Sequence, residues 1–590
     1  MNVKLMPLLL FGTLSLAWLV FCSSPARAQG IVFQEFYWDT APPAGQSWWG
    51  QIKGELPTLA DAGVSAVWVP APTKGGGGAY DMGYGPYDPY DLGDKDQKGT
   101  VATRFGTKDE FLRFVAEAHR NGIKVYADVV LNHAMGADYA EPNPVMARLG
   151  GNDIPDQSKI KLEQRSPDAK PGDVLRSWTG FAPKGADGKV GSGRFPRTWR
   201  DFHPNETEPD RNGPYHQKEF GEDYAFRGDN DYVRKSFIAW SQWFAAQTGV
   251  DGYRLDDIKG MEPDFIHDFV TGSDPKLWAV GEFLDGDPAK VMGYLHGTGD
   301  ALHLFDYPLY FAIRDLTFRP ESFSMKELLT RRMPDRDHAV TFVGNHDMSR
   351  TDSAIVYNPA WAQALILAMS GTPCVYYSDF WRAGPIQRGQ ITRLMSLHDR
   401  LTVGEEIIRH VDRTTLVIER RGHLLAAFNS GGDAQPHTII VSTTFAPGTR
   451  LSDWAGADKP ATVNAQGQVS LRIQPYGYAY YAPVDAPPAP RRVPIGTRQT
   501  WEFADDLATG RLSGTPHMLS VTLRAGEILE AKADAEAAAV VHLSITDPVG
   551  KAVGEADGSV RVTAAYGGEY KIAVRTGDGR VAGGRVTLQY

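Results

Sequence analysis

The stretch "KDEFLRFVAEAHRNGIKVYADVVLNH", residues 108–133, changes its period halfway along. Apolar residues at 111, 112, 114 and 115 share one face of a 3.6-residue helix, and Gly122 stands where such a helix closes. From Ile123 the apolar residues run together as in a strand. The same alternation extends in both directions. Further strand-like runs are "IVFQEFYW" (31–38), "VSAVWVP" (64–70), "VDGYRLD" (250–256), "LWAVGEF" (277–283), "ALHLFDYPL" (301–309), "AVTFVGNHD" (339–347) and "TPCVYYSDF" (372–380). Eight strands alternating with helices predict an α/β fold, a (β/α)8 TIM barrel. A doubly wound open sheet is the competitor, but no glycine-rich phosphate loop follows the first run.

One connection breaks the pattern. Residues 134–228, rich in Gly, Pro and charge, separate the third strand from the next helix. A plain βα loop is a few residues long, so an inserted subdomain is expected there, leaving from the strand end where barrel active sites are built. The barrel then comprises residues 29–133 and 229–400. Beyond it, "RTTLVIERRGHLLAAFNSGG", "HTIIVSTTF" and "YGYAYYAPV" read as strands and turns of a small antiparallel β domain over 401–484. "DAPPAPRRVP" (485–494) reads as a Pro-rich linker, and alternating strands over 495–590 predict a β-sandwich. Two small all-β domains therefore follow the barrel. The last is expected to be a spacer or a binding module, and its single tryptophan, Trp501, offers little for a paired aromatic platform.

A net charge of −10 argues against a nucleic-acid partner recruited by a basic surface. At the N-terminus, Lys4 precedes an apolar run from Leu5 to Cys22, and "SSPARA" offers an Ala26-x-Ala28 cleavage site. Residues 1–28 are expected to be a signal peptide cleaved near Ala28, making the protein secreted (extracellular or periplasmic). No second span follows residue 30, so no membrane contact is expected after cleavage. The bulky Phe21 argues against lipidation of Cys22. The mature chain would keep only Cys374 and no internal disulfide. A monomer is expected.

Barrel enzymes carry their chemistry where strands end at the C-terminal face. Those ends hold Asp128 and His133 at strand three, Arg254 and Asp256 at strand four, Glu282 at strand five, and His346 with Asp347 at strand seven. In "VDGYRLDDIK" (250–259), Arg254 and Asp256 share a strand face, and an arginine beside a carboxylate favours its ionised form. Alone, such a pair reads as an ordinary ion pair. In company with "DVVLNH", "GEF" and "FVGNHD" it reads as a constellation.

Those four motifs in that order, with "GYGPYDPYDLGDKDQKGTVATRFGTKDEF" (83–111), resemble the α-amylase family of glycoside hydrolases, and the resemblance covers residues 31–484. It implies hydrolysis of internal α-1,4-glucosidic bonds of starch and related α-glucans with retention of configuration. Asp256 would be the nucleophile, Glu282 the general acid/base, and Asp347 the third carboxylate. Retaining glycosidases need two carboxyl groups about 5–5.5 Å apart, one attacking and one protonating the leaving oxygen. Arg254 is expected to keep Asp256 charged, and the apolar run before Glu282 to raise that residue's pKa. The resemblance further places His133, His346, Tyr84, Lys259 and Arg254 at the substrate. It also implies structural Ca²⁺ at the insertion, with Asn132, Asp223 and the Gly260 carbonyl as ligands; hard oxygens suit that ion. Asp128 is expected to support and Asp257 to be structural. The rivals are a transglycosylase or branching enzyme with the same carboxylates, and a non-catalytic glycan-binding protein, which the three retained carboxylates disfavour.

Overall fold

The computed structural model describes residues 30–42, 44–145, 176–183, 191–207, 222–226, 231–274, 277–433, 435–456, 459–487, 492–503, 517–535, 540–576 and 584–590. The expected signal peptide, residues 1–28, and much of the expected insertion lie outside the described residues.

Eight parallel strands close a barrel: β1 (Ile31–Gln34), β2 (Val64–Val69), β3 (Lys124–Val129), β4 (Gly252–Leu255), β5 (Trp278–Gly281), β6 (His303–Phe305), β7 (Ala339–Phe342) and β8 (Thr372–Tyr376). Each pairs with its sequence neighbours, and β8 closes on β1. Helices cover the outside: α1 (Trp48–Ala62), α2 (Lys108–Arg120), α3 (Asp231–Thr248), α4 (Pro263–Gly272), α5 (Pro288–Gly297), α6 (Tyr307–Phe318), α7 (Pro359–Ala368) and α8 (Pro385–Leu401). Helix α2 shows why the local sequence folds as it does. Thr107 accepts from the Glu110 amide while Glu110 caps the Thr107 amide in return, a reciprocal cap at the N-terminus. Phe111, Leu112, Phe114 and Val115 form its buried face.

The described pieces of the segment after β3 stay near the barrel mouth. His133–Ala134 pairs with Glu222–Asp223, and Tyr139–Pro142 with Arg176–Gly180. After α8 come a six-stranded sheet and a two-stranded one over Glu406–Pro483, and then two four-stranded sheets over Arg498–Gln589 that enclose their own apolar core.

This last sandwich is docked on the barrel's helices. Gln499 donates to the Leu112 carbonyl at 2.9 Å, Thr497 meets His119 Nδ1 at 3.1 Å, and Arg524 pairs with Glu117 at 3.1 Å. Lys108 sits 5.2 Å from the centre of the Trp501 ring, so that tryptophan lies at the seam with the barrel. Among the described residues no helix is long and apolar enough to cross a membrane.

Candidate active site

Three adjacent strands deliver the centre. Register sets Arg254 of β4 beside Asp128 of β3 and Val280 of β5. The ladder continues past the strand ends, with Asp256 N donating to Val129 O at 2.9 Å and Glu282 N to Leu255 O at 2.9 Å. Asp256 and Glu282 therefore emerge side by side on supported backbone. Asp257 then takes a left-handed conformation (φ 36°), which turns the chain directly behind Asp256.

The Arg254 guanidinium is the hub. Nη1 donates to Asp128 Oδ1 at 3.0 Å and to Asp256 Oδ1 at 2.5 Å, while Nη2 donates to Glu282 Oε2. Its side chain is 1% exposed, beneath the floor of the cleft. Arg254 is expected at the substrate; among the described residues every hydrogen bond its guanidinium donates goes to a carboxylate.

One cation is shared among three carboxylates. Burial pushes Asp256 well above the usual carboxylate range; Arg254 opposes this, and Glu282, Asp128 and Asp347 reinforce it. Burial raises Asp128 as well, against Arg254 and the hydrogen bonds from Tyr84 and Trp68. Arg254 favours ionised Asp256, as expected, but its charge is divided among three carboxylates and burial acts against it. Burial thus favours protons on Asp128 and Asp256 to higher pH than on isolated carboxylates. The Glu282 carboxyl also meets polar partners. Oε1 accepts from the Tyr307 hydroxyl at 2.7 Å, and Oε2 from Arg254. The apolar run before Glu282 is the strand interior, whereas its carboxyl meets donors from β4 and from the start of α6.

Asp347, at the end of β7, is the most open of the three, with its side chain 32% exposed. Arg350 Nη2 donates to it at 2.9 Å, and His346 Nε2 lies 3.2 Å away. Gln34 donates to His346 Nδ1 at 3.0 Å, which leaves the ring's hydrogen on Nε2, the nitrogen facing Asp347. Burial, aided by Arg254, holds His346 well below the usual imidazole range, so it is neutral at neutral pH. Burial also lowers His133, whose Nε2 donates to the Tyr84 carbonyl at 2.8 Å.

Tyr84 donates its hydroxyl to Asp128 at 2.8 Å and lies nearly parallel to His346, with ring centres 5.1 Å apart. Trp38 extends this wall, 5.8 Å from Tyr84 at an interplanar angle of 15°, and Arg350 lies over its ring at 3.8 Å. Lys259 stands on the rim, donating to Leu284 O at 2.9 Å and pairing with Asp285 at 3.3 Å.

Trp38, Gln34, Tyr307 and Arg350 are members of the site that motif reading missed. Trp38 ends the first strand-like run and Tyr307 follows the sixth strand, so applying the strand-end rule to aromatics would have found both.

Asn132 and Gly260 meet. A Cβ placed on Gly260 would come within 2.7 Å of Asn132 Oδ1, so the Asn132 side chain packs directly against the Gly260 backbone. Asn132 is 2% exposed, and its Nδ2 finds no hydrogen-bond partner among the described residues. Asp223 is buried and pairs with His133, one residue from Asn132. An amide oxygen, a carboxylate and a carbonyl near one another are donors of the hard kind that calcium takes. Among the described residues no cluster of three or more His, Cys, Asp or Glu side chains could hold a metal.

A closed parallel barrel with carboxylates from neighbouring strands at its C-terminal mouth defines a hydrolase-type centre on a (β/α)8 scaffold. Residues 45–384 match the family described as alpha amylase, catalytic domain. The chain is 29% identical over 522 residues to an alpha-amylase of Geobacillus stearothermophilus, covering 79% of this chain and 90% of that one. It is 30% identical to an alpha-amylase of Bacillus licheniformis, covering 61% and 72%. The solved alpha-amylase from Malbranchea cinnamomea shares the fold at TM-score 0.56 and 18% identity, covering 78% of this chain and 97% of that one. The chain belongs to the α-amylase family of glycoside hydrolases.

Proposed function

We propose that this protein is a secreted endo-acting α-amylase, cleaving internal α-1,4 bonds of starch-like glucans with retention of configuration. The observation that carries the reading is the Arg254 hub, which grips Asp256 and Glu282 from the two ends of one guanidinium. Retaining glycosidases need that closeness, since an inverting site must leave room for a water between its carboxyl groups.

In this reading Asp256 attacks the anomeric carbon while Glu282 gives its proton to the leaving glycosidic oxygen. Glu282 then takes a proton from the water that opens the glycosyl-enzyme bond. Asp347, open to the cleft, binds sugar hydroxyls, with neutral His346 as a donor. His133 lines the same subsite, Tyr84 and Trp38 supply a flat wall, and Lys259 reaches the leaving-group side. Transglycosylation remains the alternative, because a sugar hydroxyl can replace water on the same intermediate.

Two readouts test the chemistry. Starch viscosity should fall well ahead of reducing-sugar release, and freshly formed products followed by NMR should carry the α anomer. Products born as the β anomer would overturn retention. Rearrangement of short maltooligosaccharides without loss of starch would favour the transferase.

We further propose that Asn132, Asp223 and the Gly260 carbonyl hold a calcium ion, which would tie the segment after β3 to the turn after β4. Its contribution is structural. An ion at a hundred times its Kd stabilises the folded state by about 2.7 kcal/mol, so chelation should lower Tm and calcium should restore it. An unchanged Tm in excess chelator would sink the assignment.

A further inference from the structure

Asp347 and Trp38 stand at the cleft, and one side chain lies on both of them. Arg350 Nη2 donates to Asp347 Oδ1 at 2.9 Å, while its guanidinium carbon stands 3.8 Å from the centre of the Trp38 ring. That is contact distance for two stacked planes, so no sugar ring fits between them. The other oxygen, Asp347 Oδ2, lies 3.2 Å from His346 Nε2. Both oxygens of this carboxylate are therefore engaged within the protein itself. An indole face beside a carboxylate suits a pyranose, which has an apolar face and hydroxyl edges. The Arg350 guanidinium, flat and rich in N–H donors, fills that same place.

The backbone beneath it is fixed, and the side chain is not. Met348–Arg350 form one short turn, in which Arg350 N donates to Asp347 O at 3.0 Å. Asn345 Oδ1 anchors the turn, accepting from Asp347 N at 3.0 Å and from Met348 N at 2.7 Å. Above this anchor the Arg350 side chain is 44% exposed, and the carboxylate it meets is 32% exposed. Arg254 is the opposite case, 1% exposed and bonded to three carboxylates. An ion pair open to water is weak, and so is an exposed cation–π contact. Arg350 can leave at small cost by turning its side chain alone.

We propose that Arg350 is a latch on the cleft: it takes the place of a sugar over Trp38 and Asp347, and a glucan binds by displacing it. The ligand class rests on the α-glucan reading above. Arg350 thereby sets affinity, because each sugar entering this place must first break two contacts. When a short product loosens, the same contacts re-form and help to expel it.

The test measures binding of maltopentaose, a neutral sugar, by calorimetry in the full chain carrying Asp256→Asn, so that the ligand survives. Adding Arg350→Ala should lower Kd about threefold to tenfold. Arg350→Lys should fall between, since an ammonium keeps the charge but loses the flat stack. A second arm needs no change at Arg350. Salt screens an exposed ion pair, so high salt should tighten maltopentaose binding about twofold when Arg350 is present and leave the Arg350→Ala chain unmoved. A merely structural arginine would not produce that dependence on salt. An unchanged or raised Kd in Arg350→Ala would overturn the latch, and so would binding indifferent to salt with Arg350 in place. Either result, with maltopentaose still bound and starch still cut by the active chain, leaves the α-glucan reading standing. A chain that neither binds maltopentaose nor cuts starch would remove both.

Discussion

Asp256→Asn should abolish turnover, lowering kcat on soluble starch by on the order of 10⁴-fold or more while leaving the protein folded. The amide keeps the shape of the carboxylate, but it cannot attack the anomeric carbon. It also removes a negative charge from a floor where Arg254 already serves three carboxylates, so the variant should be no less stable than the parent. The combination is diagnostic. An inactive chain with an undiminished Tm places Asp256 in the chemistry, whereas an inactive chain with a lowered Tm would make it a structural ion pair. Near-normal reducing-sugar release would refute the nucleophile assignment outright.

Arg254→Met should do the reverse, damaging stability and activity together. The side chain is 1% exposed and its guanidinium bonds Asp128, Asp256 and Glu282. Methionine leaves three buried acids without their cation, and removing one partner of a buried ion pair costs about 3–5 kcal/mol. Those acids would take up protons in compensation, which disarms the nucleophile at neutral pH. Arg254→Lys separates charge from shape. An ammonium can face one carboxylate but cannot span Asp256 and Glu282 as a planar fork does. It should recover much of the lost Tm, yet remain about 10²-fold or more below the parent in kcat, because small displacements of reacting groups are costly. A Lys variant with parental kcat would show that Arg254 supplies charge alone.

The eight barrel strands were legible because each is a short apolar run set off by helical periodicity, and because parallel barrel strands are covered on the outside by helices. The three carboxylates were legible because strand ends map to the mouth of such a barrel. What was not legible is whatever depends on neighbours distant in sequence. The setting of Glu282 comes from Arg254 and Tyr307, not from the residues preceding it. Arg254 looked like the private partner of Asp256, because Asp128 lies 126 residues from Arg254 in the chain and reaches it only through register. Trp38 and Gln34 carry neither the acid nor the imidazole that marks a strand end as catalytic, so nothing local to them signals the site.

The docked sandwich bears on the order of assembly. Gln499 reaches Leu112 across 387 residues, and Thr497 reaches His119 across 378. These are among the last contacts a chain made from its N-terminus can form, since the barrel helices that receive them are synthesised long before the partner strands. During that interval the outer side of α2 has nothing to cover it. Closing so long a loop is slow compared with forming local helices, so the barrel must persist with that flank bare until the final β domain is made. The C-terminal domain thus acts as a late closure on a barrel that is already built, and the time before it arrives is when the molecule is most open to wrong partners.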